Sequence, residues 1–340
     1  MWNHQPRARF AWFDNGGSTV IRIAIIGLGL IGTSLGISLR SADSKKDPMG
    51  NIEVVGFDRS NDHAKEARVR LAIDKIATTL VEALKGTHLI VLAVPARALP
   101  SVMQEISPLL EPGAVVTDVT STKTDVMQWA AQYLPNNTFI GGHPMAGREQ
   151  SGPKAAVHDL FKDAIYCLCM AANTPPEAVA LCEAVVERIG AKSYFIDPVE
   201  HDAYVAGISH LPFVMASSIV NATTGTSSWR EMAALAATGY RDTTRLASGD
   251  VTMHRDISLT NAVALSRWID ASIDQLQHLK TALAAGDEAA VTDFFARAQL
   301  ARNEWLKQKP GMRPGEAEYE DLGVGMVERP SFFGRRPGKR

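Results

Sequence analysis

From Val20 to about residue 170, short β-rich apolar runs alternate with segments of helical periodicity. The runs predict strands at Val20–Ile26, Ile52–Phe57, His88–Val94, Ala114–Val119, Thr138–Gly141 and Ala164–Ala171. Helices are expected between them, at Leu30–Leu39, Ala98–Leu110, Lys123–Leu134 and Pro176–Ile189. Strands that read as nearly continuous apolar runs are covered on both faces, so the pattern predicts a doubly wound parallel sheet of Rossmann type. After about residue 198 the strand signals stop. Apolar positions recur at helical spacing over His201–Asn221, Arg255–Ala285 and Glu288–Lys307, which predicts an all-α second unit. The expected division is an extension over 1–19, an α/β unit over 20–197, a helical unit over 198–309 and a flexible tail over 310–340 rich in Pro, Gly and charge.

A length of 340 residues fits two domains, and 46% hydrophobic with 21% charged residues is ordinary for a soluble globular protein. Net charge is −2, which gives no footprint for nucleic acid. Cys167, Cys169 and Cys182 are too few for a disulfide framework. Cys167 and Cys169 fall in an apolar run, and buried reduced thiols in a cytosolic protein are expected there rather than a metal site. No apolar run reads as a membrane span, and the stretch before Val20, with Arg7, Arg9 and Asp14, does not read as a signal peptide.

Gly27-Leu28-Gly29-Leu30-Ile31-Gly32 closes a predicted strand and opens a predicted helix. In that setting a GxGxxG motif is a dinucleotide fingerprint. Its glycines allow the tight turn, the approach of a pyrophosphate and close helix packing, and the helix N-terminus attracts the phosphates. Asp58 ends the second strand, where a carboxylate can accept from ribose hydroxyls and would repel a 2′-phosphate. That favours NAD over NADP, although Arg59 beside it could hold such a phosphate. Val94 and Pro95 end the next strand, in a loop that lies beside the cofactor in this fold.

Two further segments follow predicted strands, at the ends where open α/β sheets bind ligands. They are Asp118-Val119-Thr120-Ser121-Thr122-Lys123 and Gly141-Gly142-His143-Pro144-Met145-Ala146-Gly147-Arg148-Glu149-Gln150-Ser151-Gly152. A third, Ile208-Ser209-His210-Leu211-Pro212, lies in a helical pattern, and Arg241-Asp242-Thr243-Thr244-Arg245 comes later. Together, in this order and over about residues 20–305, they closely resemble the prephenate/arogenate dehydrogenase family. The HPMAG and ISHLP segments are far more specific than the GxGxxG.

The resemblance implies NAD-linked oxidative decarboxylation of prephenate or arogenate in tyrosine biosynthesis, with a homodimer formed through the helical unit. It makes His143 the base that takes the ring hydroxyl proton, a task that suits a neutral imidazole titrating near 6.5. Ser121 would bond the same hydroxyl or the nicotinamide, unless it caps the following helix. His210 and Arg245 would bind substrate, the latter through its guanidinium fork on a carboxylate, and Glu149 would help shape the pocket. Arg241 ranks lower, as a candidate ion-pair partner of Asp242. Pro212 frees the carbonyl of Ile208 and should kink the helix, a common device at a site.

His201 lies nine positions before His210 and would face the opposite side of a straight helix, so it falls outside the expected site. Two departures from the family pattern are Thr238 before Gly239 and His254 where tryptophan often stands. No separate amino-acid-binding module is expected after the helices and no mutase domain before the first strand. Two rivals compete with this reading. A β-hydroxyacid-type dehydrogenase would want a lysine between His201 and Trp229, where there is none. A non-catalytic NAD sensor would have no use for a base.

Overall fold

A computed structural model describes residues 20–41, 49–148 and 150–307. Its centre is an eight-stranded sheet built from β1 (Ile21–Ile26), β2 (Ile52–Phe57), β3 (Lys75–Ile76), β4 (Leu89–Leu92), β5 (Val115–Asp118), β6 (Thr138–Pro144), β7 (Ile165–Met170) and β8 (Lys192–Phe195). The order is β3-β2-β1-β4-β5-β6-β7-β8, so the chain reverses direction of travel at β1 and β4. All neighbours are parallel except β6 and β7. A parallel step needs a crossover, usually a helix. Between β6 and β7 the described residues form no helix beyond the short 3-10 turn Pro153–Ala155, and the strand returns antiparallel.

The helices of this part are α1 (Leu30–Ser41), α2 (Asn61–Val69), α3 (Leu80–Leu84), α4 (Leu99–Ile106), α5 (Thr124–Tyr133) and α6 (Pro176–Arg188). They cover both faces of the sheet. Ile23 and Ile25 of β1 join Leu35, Leu39, Leu181 and Val185 in one core cluster. Their strand neighbours Ala24 and Ile26 join Leu99, Met103, Val116 and Val126 in the other. The alternation along β1 therefore feeds two cores rather than one core and solvent. Cys167 and Cys169 on β7 and Cys182 on α6 are buried free thiols. Burial pushes Cys167 up to about 11 and Cys182 to about 12.

Everything described after Phe195 is helical: α7 (Pro198–Val205), a π turn (Ala206–His210), α8 (Leu211–Thr224), α9 (Trp229–Leu235), α10 (Thr238–Thr244), a 3-10 turn (Arg245–Ser248), α11 (Val251–Thr260), α12 (Ala262–Ala285) and α13 (Glu288–Lys307). The run Pro198–Thr224 reaches 27 residues at a mean hydropathy of 1.5 over its most apolar window, long and apolar enough to cross a bilayer by that measure. This corrects the expectation that no such run exists. Glu200, His201, Asp202, Ser209 and His210 interrupt the run in the sequence, yet the helical run continues past them by way of the π turn. Of these, His201, Asp202 and His210 are buried. The apolar positions of α12 and α13 stay largely uncovered: Val263, Ile273, Leu283, Phe295, Leu300 and Trp305 are all more than half exposed.

Candidate active site

The nucleotide end of the sheet forms as its glycines require. Gly27 takes φ +100°, and a Cβ there would lie 2.4 Å from the Ala93 carbonyl oxygen. At Gly32 a Cβ would lie 2.0 Å from the carbonyl oxygen of Gly27, so α1 can pack against the turn only with glycine. Gly29 differs, since a Cβ there meets no atom within 4 Å. It borders open space at the α1 N-terminus, the cradle a pyrophosphate needs. Asp58 braces the turn by accepting from Leu28 N at 2.7 Å and Ser60 N at 2.7 Å. Arg59 is mostly exposed and ion-paired with Glu105 at 3.3 Å. Val94 and Pro95 follow β4, and a Val94 methyl comes to 3.1 Å of the Cβ position of Gly27.

A buried polar cluster lies beyond the ends of β5 and β6. Asp118 and Lys123 form an ion pair with no side-chain exposure. Asp118 also accepts from Thr120 N at 2.8 Å and Gly142 N at 3.0 Å, which ties the loop after β5 to the end of β6. His143, the next-to-last residue of β6, points Nδ1 at Nε2 of His201 across 2.8 Å. His201 Nδ1 in turn meets Asp202 Oδ1 at 2.8 Å. Asp202 also accepts from Lys123 N at 2.8 Å and from Thr124 N at 2.8 Å. A carboxylate on α7 therefore caps the N-terminus of α5. Ser121 is not that cap, and it remains half-buried beside the site.

Asn261, between α11 and α12, donates through Nδ2 to the Asp202 carbonyl at 2.8 Å. The same nitrogen lies 3.2 Å from Nδ1 of His210. Because Nδ2 is a donor, His210 Nδ1 accepts, and the His210 proton sits on Nε2. That buried Nε2 has no hydrogen-bond partner among the described residues. It is a donor without an acceptor in a site expected to bind an anion.

The electrostatics follow from burial. His143 is held well below the usual histidine range, first by desolvation and then by His201, Lys123 and His210. Desolvation likewise takes His210 down to about 4, with Asp202 and the Ser121 backbone opposing and His201 adding to the fall. Burial alone would raise Asp202, but bonds from His201, Thr124 and Lys123 together outweigh it and hold the carboxyl below its ordinary value. The site thus holds two neutral imidazoles beside an ionised carboxylate. Titration of His143 near 6.5, expected from the free residue, is corrected to a lower value because the ring is buried.

The structure brings together His143, His210 and the Ser121 loop through this network. It adds His201, Asp202 and Asn261, which sequence reasoning left out. His201 was excluded on straight-helix geometry. The π turn at Ala206–His210 inserts one extra residue per turn, which moves His201 round from the opposite face. The π turn ends just before Leu211 and Pro212, which open α8. Arg245 opens the 3-10 turn that packs on α8 and is exposed on this chain, so the described geometry does not place it against His143. Arg241 pairs with Asp242 at 3.4 Å on the surface. Glu149 lies outside the described residues. His254 stacks flat on Phe213 with ring centroids 4.2 Å apart, and Phe213 lies 6.0 Å from the His210 ring. An imidazole thus keeps an aromatic face where the family often has tryptophan.

Comparison with known proteins settles the family. Residues 42–195 match the nucleotide-binding domain of prephenate dehydrogenase, and residues 197–297 its dimerization domain. The chain belongs to the prephenate dehydrogenase family. It is 33% identical to the cyclohexadienyl dehydrogenase of Zymomonas mobilis, covering 86% of this chain and 98% of that protein. It is 31% identical to the prephenate dehydrogenase of Bacillus subtilis, covering 92% and 82%. The crystal structure of Synechocystis arogenate dehydrogenase superposes with a TM-score of 0.70 at 30% identity, covering 84% of this chain and all of that one. The structure of prephenate dehydrogenase from A. aeolicus, in complex with hydroxyphenyl propionate and NAD+, gives 0.78 at 26% identity, covering 84% and 98%.

Proposed function

We propose that this protein catalyses the oxidative decarboxylation of prephenate or arogenate in tyrosine biosynthesis, with NAD as the hydride acceptor. The observation that carries the reading is the neutral, buried His143 at the end of β6, positioned by His201 of α7. Such a ring suits removal of a proton from a ring hydroxyl, because it arrives at the substrate unprotonated at neutral pH. Family membership supplies the reaction class.

NAD fits the residues present. Gly27, Gly29 and Gly32, with Leu28, Leu30 and Ile31 between them, would receive its pyrophosphate. Asp58 would face the ribose, and Val94 and Pro95 would flank it. When bound, NAD takes up the hydride that leaves the ring. Arg59, already paired with Glu105, is poorly placed to reward a 2′-phosphate, so NADP is the weaker cofactor.

The remaining roles belong to the chain. His143 takes the hydroxyl proton, and Ser121 hydrogen-bonds the same hydroxyl or the nicotinamide. His210 donates its free Nε2 proton to substrate, and the family resemblance assigns Arg245 and Glu149 to substrate binding. The ring carboxylate should be held loosely, since firm ground-state binding would oppose its departure.

We place the protein in the cytosol with its biosynthetic relatives, as a homodimer in which a second copy would bury the uncovered apolar rows of α12 and α13. The unit boundary is placed at 197/198. The deciding experiment follows NADH absorbance with prephenate and with arogenate. Turnover of either supports the reading, and turnover of neither refutes it.

A further inference from the structure

We infer that His201 and Asp202 act as positioning residues that fix His143 in one tautomer and thereby make its Nε2 the basic atom. This rests on the proposed reaction for its purpose but not for its geometry. Asp202 is held ionised by three donors, so it accepts and the His201 proton sits on Nδ1. With its proton given to Asp202 from Nδ1, His201 offers its next neighbour the lone pair on Nε2. It faces His143 Nδ1 at 2.8 Å, and two lone pairs cannot face each other at that distance. His143 must therefore place its proton on Nδ1, which leaves Nε2 unprotonated. The order of protons is dictated from the carboxylate outward.

The proton balance closes. The substrate hydroxyl loses its proton to His143 Nε2, and the resulting imidazolium keeps its Nδ1 proton in the bond to His201. The positive charge is then shared along His143 and His201 toward the Asp202 carboxylate, and no other acceptor is needed. The remaining groups around His143 do not replace this. Lys123 is a cation whose charge is met by Asp118, His210 bonds Asn261, and the thiol of Cys167, opposite His143 in the β6–β7 register, is pushed up to about 11. Tyr166 on the same strand is likewise held neutral by burial.

The test pairs two variants with one spectrum. His201→Gln offers an amide oxygen near the Nε2 position, whereas His201→Leu offers no acceptor. The Leu variant is expected to lose about 10²-fold or more in kcat, in the direction a wrong tautomer gives, with KM within about threefold. Its acid limb should move to lower pH, because the imidazolium has lost an acceptor. His201→Gln should recover to within about tenfold of the parent and restore the limb. Equal losses in both variants, with an unmoved limb, would reduce His201 to packing and overturn the inference. Independently of activity or variant folding, 15N spectra of histidine-labelled parent protein should show His143 protonated on Nδ1 and bare on Nε2. The opposite tautomer overturns the inference even if the enzyme is active. The expected tautomer upholds it even if neither prephenate nor arogenate is turned over, a result that would sink only the proposed reaction.

Discussion

Acid should destabilise this fold through its site, and His210 allows the size to be worked out. Its ring is fully buried and held to about 4 against an ordinary value of 6.5. In the unfolded chain the ring takes up a proton as pH falls below 6.5, while the folded form resists until about 4. Between those values the unfolded state binds more protons, so stability falls as pH falls. Above 6.5 both states are neutral and the group contributes nothing. Linkage for one such site gives a loss of about 2 kcal/mol at pH 5 and about 3 kcal/mol at pH 4. His143, also held low by burial, adds to the loss in the same direction.

Urea unfolding at fixed protomer concentration, at pH 7.5 and pH 5, measures the effect. His210→Gln removes the titration but keeps an oxygen that can accept from Asn261. The variant should start less stable at pH 7.5, and its further loss on going to pH 5 should be smaller than the parent's by about 2 kcal/mol. If parent and variant lose the same amount, His210 is solvated in the folded protein and the burial argument fails.

Four further outcomes follow from the site. His143→Asn should lower kcat by about 10² or more with little change in KM, and the parent's acid limb should lie below 6.5; a fully active variant would remove His143 from the chemistry. Arg245→Gln should raise KM by about 30-fold with kcat changed by less than about tenfold, since a carboxylate anchor contacts substrate and transition state alike, and a collapse of kcat at constant KM would contradict that role. The ratio of kcat/KM for NAD over NADP should be about tenfold or more, and parity would shift attention from Asp58 to Arg59. Light scattering at micromolar concentration should give twice the chain mass, and a monomer would leave the exposed rows of α12 and α13 unexplained.

The parts of the fold that were legible are those whose physics is local. β1, β2, β4 and β5 are buried on both faces, so their apolar runs stand out, and the glycines of the turn after β1 report steric needs met within a few residues. β3 and β8 did not stand out. They are edge strands, two and four residues long, with polar residues such as Lys75, Lys192 and Ser193, because an edge has only one neighbour to bury against. The reversal of β7 was hidden too, since nothing in an apolar run records its direction. His143 and His210 were found through the motifs around them. His201 was missed because period-based reasoning assumes 3.6 residues per turn through a segment where the backbone departs from it. The cap on α5 had no local signal at all, since Thr124 finds its acceptor 78 positions downstream.

That distant cap shows how the site is assembled from both halves of the chain. One carboxylate, Asp202, accepts from His201 on its own helix and from Lys123 N and Thr124 N on the loop after β5. Lys123 is in turn tied to Asp118, and Asp118 to Gly142, one residue before His143. The path from Asp202 to His143 therefore runs twice, once through the His201 ring and once through the Lys123–Asp118 pair. A closed loop of buried polar groups resists partial rearrangement, because opening any one link leaves a desolvated donor or acceptor unpaired at a cost of about 1–3 kcal/mol. This gives a physical reason for a buried ion pair whose side-chain hydrogen bonds run to Thr120 and Gly142 rather than to the His143 ring. Lys123 and Asp118 hold the loop bearing Ser121 in register with the strand bearing His143, while α7 supplies the partner that orients the imidazole. Nucleotide binding can belong to the sheet alone, but the base becomes a base only where the helical part meets it.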